Sequence, residues 1–393
     1  MARYAFVLGT LSAAGPLAID LYLPGLPMIA RDLHATQGQV EMSMMSFFAG
    51  LMIGQPFYGP LSDRFGRKTP LALGILLYCV ASIGCSMAVS APMLIAARLV
   101  QGLGAGASIA ISAAIIRDVY TGHQAARLLA LRMLVIGGSP ILAPIIGASI
   151  ISAWGWRYVF WLSAAYGLYG ICLLALIPET RHAHHRADTK LSGTLGIYRR
   201  LLGDRHFMGA VGSAAFMQLA FTAYIAGASF VFIKVYHTPP WLFSLIFASN
   251  AFGFIGCAQF APNLMKRFPA ERLIVTASCV QTVTAAVLVT LALTHHASVP
   301  ALIVPLFLFL GCYGLVGGPA TVIALRDQGP VAGTAASLLS FLQWGASAVG
   351  SGLVALLANG TAVPMTVVMM TGAGIAFLVV QRAFGRMPAA AVA

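Results

Sequence analysis

An all-α polytopic membrane protein with about twelve spans is what this sequence predicts, and three observations carry that expectation. Of 393 residues, 59% are apolar and 8% charged, against about 25% charged in an ordinary soluble domain. A soluble fold of this length would expose large apolar patches, whereas a bilayer favours an apolar outer surface. Apolar runs of about 20 residues, the length that crosses a hydrocarbon core, recur along the whole chain. Lys and Arg gather in alternate connections, the pattern that sets orientation in membrane proteins. The 41 glycines and 20 prolines fit this class, since both are commoner in membrane helices than in soluble ones.

The first apolar run, Tyr4 to Leu26, is too long for a signal peptide, contains Asp20 and lacks a small-residue cleavage site. It reads as a retained span. Breaks at charge and turn clusters then divide the first half into spans at 4–26, 40–60, 70–90, 92–116, 127–152 and 157–177. The second half divides into 207–233, 241–263, 272–294, 299–325, 332–358 and 362–384. The polar stretch Pro178–His206 separates them. The expected organisation is a six-helix bundle over 1–178, a cytoplasmic linker over 179–206 and a second six-helix bundle over 207–393. With the N-terminus inside, the cytoplasmic connections collect Arg3; Arg64, Arg67 and Lys68; Arg117, Arg127 and Arg132; the basic linker; Lys266, Arg267 and Arg272; Arg326; and Arg382 with Arg386. The outer connections hold only Arg31, Arg157 and Lys234. Both termini are therefore expected in the cytoplasm. The formal net charge of +13 is then a topology signal with attraction to anionic lipid, not a nucleic-acid footprint. Asp63-Arg-Phe-Gly-Arg-Lys68 after the second span and Lys266-Arg-Phe-Pro-Ala-Glu-Arg272 after the eighth sit at equivalent places, which suggests duplicated halves.

Six cysteines all fall in apolar runs with no C-x-x-C pair, and are expected to be structural thiols, neither disulfides nor metal ligands. His182, His184 and His185 lie in the polar linker and read as part of a solvated basic run. No cofactor, metal or catalytic set is implied, and no phosphate-binding P-loop is present.

Four motifs resemble the major facilitator superfamily, and within it the drug:proton antiporters. Gly59-Pro-Leu-Ser-Asp-Arg-Phe-Gly-Arg-Lys68 resembles the signature between spans two and three. Arg98-Leu-Val-Gln-Gly-Leu-Gly-Ala-Gly106 is similar to the fourth-span motif, and Ala143-Pro-Ile-Ile-Gly147 to the fifth-span antiporter motif. Asp20-Leu-Tyr-Leu-Pro-Gly-Leu-Pro27 resembles the end of span one in the bicyclomycin- and chloramphenicol-resistance (Bcr/CflA) branch. The chain departs from the family pattern at Ala143 and Ala148, usually glycine. Ser12 stands where some related carriers have a second acid, and Glu41 where the branch commonly has glutamine. The resemblance implies the major facilitator fold, two pseudo-symmetric six-helix bundles.

Charge inside a span is expensive, at least about 2.5 kcal/mol per central Asp or Arg, so such residues are functional candidates. Asp20 and Arg98 both lie about 10 Å below the outer surface at 1.5 Å per residue. Asp20 is the candidate proton-exchanging group, with Arg98 setting its affinity. The alternative is a static ion pair, or an Arg98 that bonds backbone carbonyls. Glu41 could relay protons, although a solvated carboxylate at a helix start is the simpler expectation. Arg132, one turn into span five, is expected to snorkel to the cytoplasmic surface. Gly59, Asp63, Arg64, Gly66, Arg67 and Arg117 form a candidate gate, in which Asp63 accepts from Arg117 and is attracted to the start of span eleven. The alternative is a basic topology anchor. Pro144 and Gly147 are candidate hinge or sealing positions through the resemblance. Gly102, Gly104 and Gly106 should allow close helix contact. Tyr22, Gln55, Gln101, Gln218, Tyr224, Asn250, Gln259, Gln343 and Trp344 are polar or aromatic groups within apolar spans. They could line a cargo cavity or simply bond helix to helix.

Together these features point to a monomeric proton-coupled exporter of small amphiphilic molecules that works by alternating access in the lipid bilayer. A proton-coupled metabolite symporter or a uniporter is the nearest alternative. A channel or a membrane enzyme fits less well, because the spans offer no convergent acid/base, nucleophile or metal set.

Overall fold

The structure is a computed structural model and describes residues 2–120, 122–181, 191–294 and 298–385. Within them the regular structure is helical. The first span is broken: α1 (Ala2–Asp20) ends at the candidate carboxylate, a 3-10 turn covers Leu23–Gly25, and α2 (Leu26–Asp32) continues outward. Pro24 helps cause the break, since it lacks the donor that would bond the Asp20 carbonyl and continue α1, whereas Pro27 sits in the first turn of α2, where no donor is needed. Then follow α3 (Gln37–Phe65), α4 (Lys68–Ser86), α5 (Ala91–Val119), α6 (Gly122–Trp154) and α7 (Arg157–Ala175). After α7 come α8 (Leu191–Gly203), an amphipathic helix in the expected linker, and α9 (Arg205–Ser229), whose last turns widen into a π-helix over Phe230–Val235. The chain finishes with α10 (Pro240–Met265), α11 (Ala270–Leu293), α12 (Val299–Leu325), α13 (Ala332–Leu357) and α14 (Val363–Phe384). His182, His184 and His185 lie outside the described residues.

Eleven helical segments among the described residues are long and apolar enough to cross a membrane. At 29 residues α3 is also long enough, but Gln37, Gln39, Glu41 and Gln55 lower its hydropathy. With α3 the crossings number twelve. Large apolar side chains such as Leu73, Val80, Leu142, Phe252, Val304 and Leu356 are exposed on these helices, as lipid-facing surfaces require. Two expected bounds differ in a way that matters. Helix α3 runs on to Phe65 and α4 begins at Lys68, so Asp63 and Arg64 occupy a last helical turn and not a loop. The turn itself is Gly66 and Arg67, with Gly66 at φ 88°, a conformation open to glycine and costly for other residues.

The chain divides into two units, residues 1–191 with 237–248, and residues 192–236 with 249–393. In the first, α3 and α4 flank α5, α1 packs on α6, and α7 covers α4. Its core includes Leu8, Leu11, Leu71, Ile75, Ile111, Ile115 and Leu174. In the second, α9 packs on α13 and α14, and α11 on α12 and α14, around Val211, Ala214, Met217, Ile274, Val316, Leu339 and Val380. Lipid tails are as apolar as these side chains, so close van der Waals packing and small residues hold such helices together.

The same span pairs meet through glycine in each unit. A side chain at Gly102 would collide with the Phe47 carbonyl, joining spans four and two, and one at Gly314 with the Phe254 carbonyl, joining ten and eight. Gly147 lies against the Leu21 carbonyl between spans five and one, and Gly350 against the Leu219 carbonyl between eleven and seven. Gly104 packs on the Gly74 and Tyr78 backbone of span three, whereas a methyl at Gly106 would find ordinary contact distances. Helix α6 continues through both Pro140 and Pro144. Of the six cysteines, Cys79 and Cys85 are buried, while Cys172 and Cys279 are exposed on spans six and nine, and all are free thiols.

Candidate functional site

The break in span one creates an unusual backbone feature. Ala18 loses the helical donor four residues on, and Arg98 of α5 takes its carbonyl with Nη1 at 3.0 Å. The same nitrogen donates to Gln101 Oε1 at 2.7 Å, and Gln101 Nε2 donates to Ser82 Oγ at 2.7 Å. Aromatic faces supply the rest of the surroundings of Arg98. Its guanidinium carbon lies 4.3 Å from the Tyr22 ring centre and 4.2 Å from that of Phe47, close enough for cation–π attraction. Tyr22 shares a hydrogen bond with Ser43 Oγ at 3.2 Å.

Asp20 is 4% exposed, its Oδ2 has no hydrogen-bond partner, and no cation of the described residues lies within 4.0 Å. The expected contact between Asp20 and Arg98 is absent. The two share the level of the break, but Arg98 turns to the backbone oxygen that the break releases and to ring faces. Arg98 thus bonds a backbone carbonyl, and no Asp20–Arg98 ion pair is present. The Asp20 carboxyl is consequently buried without a counter-ion.

Glu41 also departs from expectation. It is fully buried, accepts from Gln37 Nε2 at 2.9 Å and leaves Oε2 without a partner. The helix begins at Gln37 and is capped by Thr36, so Glu41 lies a full turn inside it and not at a solvated start. Arg132 likewise does not snorkel. It is 4% exposed, because α6 starts at Gly122 and places it ten residues in. Its Nε donates to Ser12 Oγ at 2.6 Å and its Nη2 to the Ile109 carbonyl at 2.8 Å.

At the inner ends of the helices, Arg67 is the centre of the candidate gate. Its Nη2 meets Asp63 Oδ1 at 2.8 Å, its Nε meets Asp118 Oδ2 at 2.7 Å, and its Nη1 donates to Ser62 Oγ at 2.6 Å. Asp63 has Arg181 as a second, longer partner at 3.9 Å. The expected Asp63–Arg117 pair does not form. Asp63 lies on the last turn of α3, where Arg67 is four residues on, and Arg117 is exposed beside Asp118. Glu179 closes the cluster: its two oxygens accept from the Arg67 and Lys68 backbone N–H groups at 2.8 and 3.0 Å, and from that of Arg181 at 2.9 Å. Burial works against this carboxylate, but the backbone donors prevail and hold it below the usual glutamate range. Asp118 and Glu179 were missed from sequence. The Pro178-Glu-Thr180 turn after span six was the visible signal for Glu179, and Asp118 was overshadowed by its neighbour Arg117. Arg64 is exposed, with its guanidinium 5.4 Å from the Phe65 ring. A methyl at Gly59 would touch nothing, so its proximity to the cluster is not a packing requirement. Pro144 offers its carbonyl to Ser244 Oγ at 3.0 Å.

The candidate cargo residues separate into two groups. Gln101 is fully committed to Arg98 and Ser82, and Gln55 is buried with Nε2 unpartnered. In the second unit Tyr224 and Asn250 meet through Asn250 Nδ2 at 3.0 Å. Gln218 donates to Ser347 Oγ at 3.0 Å and accepts from Tyr313. Tyr313 in turn stacks on Phe221 at 4.4 Å and on Phe254 at 5.3 Å between ring centres. Phe221, Phe254 and Tyr313 escaped sequence reading because aromatic residues in apolar spans are ordinary. Only their convergence from α9, α10 and α12 marks them. Gln343 and Trp344 are half-buried on α13, while Gln259 is exposed.

Residues 8–351 match the family model of the Major Facilitator Superfamily. The chain belongs to that superfamily. It is 32% identical over 377 residues to the uncharacterized MFS-type transporter YdgK of Bacillus subtilis, covering 95% of this chain and 93% of the relative. It is 29% identical to a bicyclomycin resistance protein homolog of Haemophilus influenzae, covering 93% and 92%. The multidrug resistance protein MdtL of Escherichia coli is 35% identical over 191 residues, 48% of this chain and 49% of the relative. Among solved structures, a D-xylose–proton symporter aligns with a TM-score of 0.76 at 14% identity, covering 98% of both chains. As a member of the superfamily the protein is a multi-pass membrane transporter with the twelve-helix fold, and not an enzyme.

Proposed function

We propose that this transporter exports small amphiphilic molecules in exchange for protons by alternating access, as a monomer of the bacterial inner membrane with both termini in the cytoplasm. The observation that carries the reading is Asp20: a carboxyl buried at the break of span one, with no cation of the described residues in contact and one oxygen unpartnered. One proton taken up or lost there changes the charge of the interior by a whole unit, which is what couples a proton to a conformational step. The names of relatives, bicyclomycin resistance and multidrug resistance, favour export of drug-like cargo. Basic clusters at the connections between spans two and three and between eight and nine favour the cytoplasmic assignment.

In this reading Arg98 steadies the released Ala18 carbonyl and so holds Asp20 at the break, and Glu41 is a second buried acid that can take part. The cluster of Asp63, Arg67, Asp118 and Glu179 ties the inner ends of spans two, three, four and six so that they move as one body. Tyr224, Asn250, Gln218 and the Phe221–Tyr313–Phe254 stack offer rings and a few fixed polar groups, the surroundings that suit amphiphilic cargo. The test is transport in proteoliposomes holding a pH gradient. Cargo should move against its gradient only while the proton gradient persists, and in the opposite direction to the proton. Movement with the proton would indicate a symporter, and conduction without saturation a channel.

A further inference from the structure

Arg132 is an interior charge that the proton and gate readings leave unused. Among the described residues no carboxylate lies within 4.0 Å of it, and Arg117 of α5 adds like charge to its surroundings. Its bonds go to one hydroxyl, Ser12 Oγ, and one backbone carbonyl, Ile109. Nη1 makes no hydrogen bond to a described residue. Ser12 donates its own proton to the Leu8 carbonyl at 2.6 Å, so the hydroxyl presents a lone pair to the guanidinium and fixes its orientation. Two further buried hydroxyls on the same two helices have unused capacity. Ser112 follows Ile109 by three residues on α5, and Ser139 follows Arg132 by seven on the same face of α6. Both hydroxyls are buried and unpartnered.

A buried guanidinium without an anion is strongly unfavourable, and an apolar side chain of similar volume would pack spans one, four and five at lower cost. The charge is explicable if an anion arrives during the transport cycle. Guanidinium is a planar fork that matches a carboxylate with two parallel hydrogen bonds. We propose that Arg132 binds the carboxylate of an anionic or zwitterionic amphiphilic cargo, with Ser12 as a positioning residue. This rests on the export reading and narrows its substrate class. Ser12 and Asp20 are eight residues apart on α1, about 12 Å along its axis. The cargo anion and the proton-carrying carboxyl are thereby held about two turns apart.

The test uses two probes that differ only in head group, 4-(1-pyrenyl)butyrate and the matching pyrenylbutyl-trimethylammonium cation. Binding to the full chain in nanodiscs of neutral lipid is measured by fluorescence, with empty nanodiscs as the blank. Wild type should prefer the carboxylate by about ten-fold or more, the scale of a charge-assisted pair. Arg132→Gln should lose that preference while keeping its affinity for the cation, Arg132→Lys should keep part of it, and Ser12→Ala should weaken the carboxylate alone by a few-fold. The proposal is overturned if wild type shows no preference or if Arg132→Gln retains it. If Arg132→Gln melts before it can be assayed, Arg132→Lys and Ser12→Ala carry the test, and equal loss for both probes overturns it. Export is scored separately in proteoliposomes. A carboxylate bound through Arg132 but never driven out by a pH gradient sinks the export reading and leaves the anion site standing.

Discussion

The two units are built alike and furnished differently. In the first, Arg67 is buried at the inner end and pairs with Asp63 and Asp118, while the buried Asp20, Glu41, Arg98 and Arg132 form no ion pair with a described residue. In the second, the buried charge is Glu271 at the start of α11, paired with Arg326 at 3.0 Å, and the deeper polar groups are amides, hydroxyls and phenols. Glycine contacts recur at matching span pairs in both, so the scaffold is repeated while the chemistry is not. Ionisable groups change the interior when a proton or anion comes or goes, whereas neutral amides and rings offer fixed contacts. Under the proposed function, the contrast fits coupling in the first unit and neutral cargo contacts in the second.

The largest expected effect breaks that assignment if it fails. Asp20→Asn should reduce pH-gradient-driven export by about 100-fold or more, a loss of roughly 2.7 kcal/mol or greater in the driven step, while cargo still binds. Retained driven export would move coupling elsewhere. Next come the glycine contacts, which sharpen the claim of a repeated scaffold. Gly102→Val and Gly314→Val each force a side chain into a backbone carbonyl, and each should destabilise by about 1–3 kcal/mol or more. Melting in detergent should show comparable losses, and a loss confined to one would undo the symmetry.

Smaller again is the aromatic stack of the second unit. Tyr313→Leu removes two ring contacts worth about 0.5–1.5 kcal/mol each, and should weaken planar cargo by several-fold without altering the proton dependence. The smallest effect is at the inner cluster. Because the folded protein holds Glu179 below its ordinary range, its contribution is present above the unfolded glutamate value of about 4.3 and is lost as pH falls through the lower folded value. Glu179→Gln should therefore melt earlier than wild type at pH 7, and the gap should close as the solution is acidified toward pH 3. A gap that persists in acid would mean the charge of Glu179 is not what matters.

Much of the scaffold was legible because length, apolar content and Lys/Arg placement are bulk properties that a bilayer imposes on every span. The interior contacts were less so, for identifiable reasons. Arg98 and Asp20 sit at one depth, but depth says nothing about direction, and the freed Ala18 carbonyl exists only because α1 ends at Asp20. Glu41 and Arg132 look like surface groups in the sequence because α3 and α6 extend further than their apolar cores suggest. One acceptor of Arg67 is Asp118, a residue whose role depends on where α5 ends. The Phe221–Tyr313–Phe254 stack joins three helices far apart in sequence and has no local signal.

The most direct measurement is proton release on cargo binding. Purified protein in weakly buffered solution with a pH-indicator dye is mixed with saturating cargo. The account predicts about one proton released per cargo bound by wild type and none by Asp20→Asn at equal occupancy. Equal release from both proteins would contradict it.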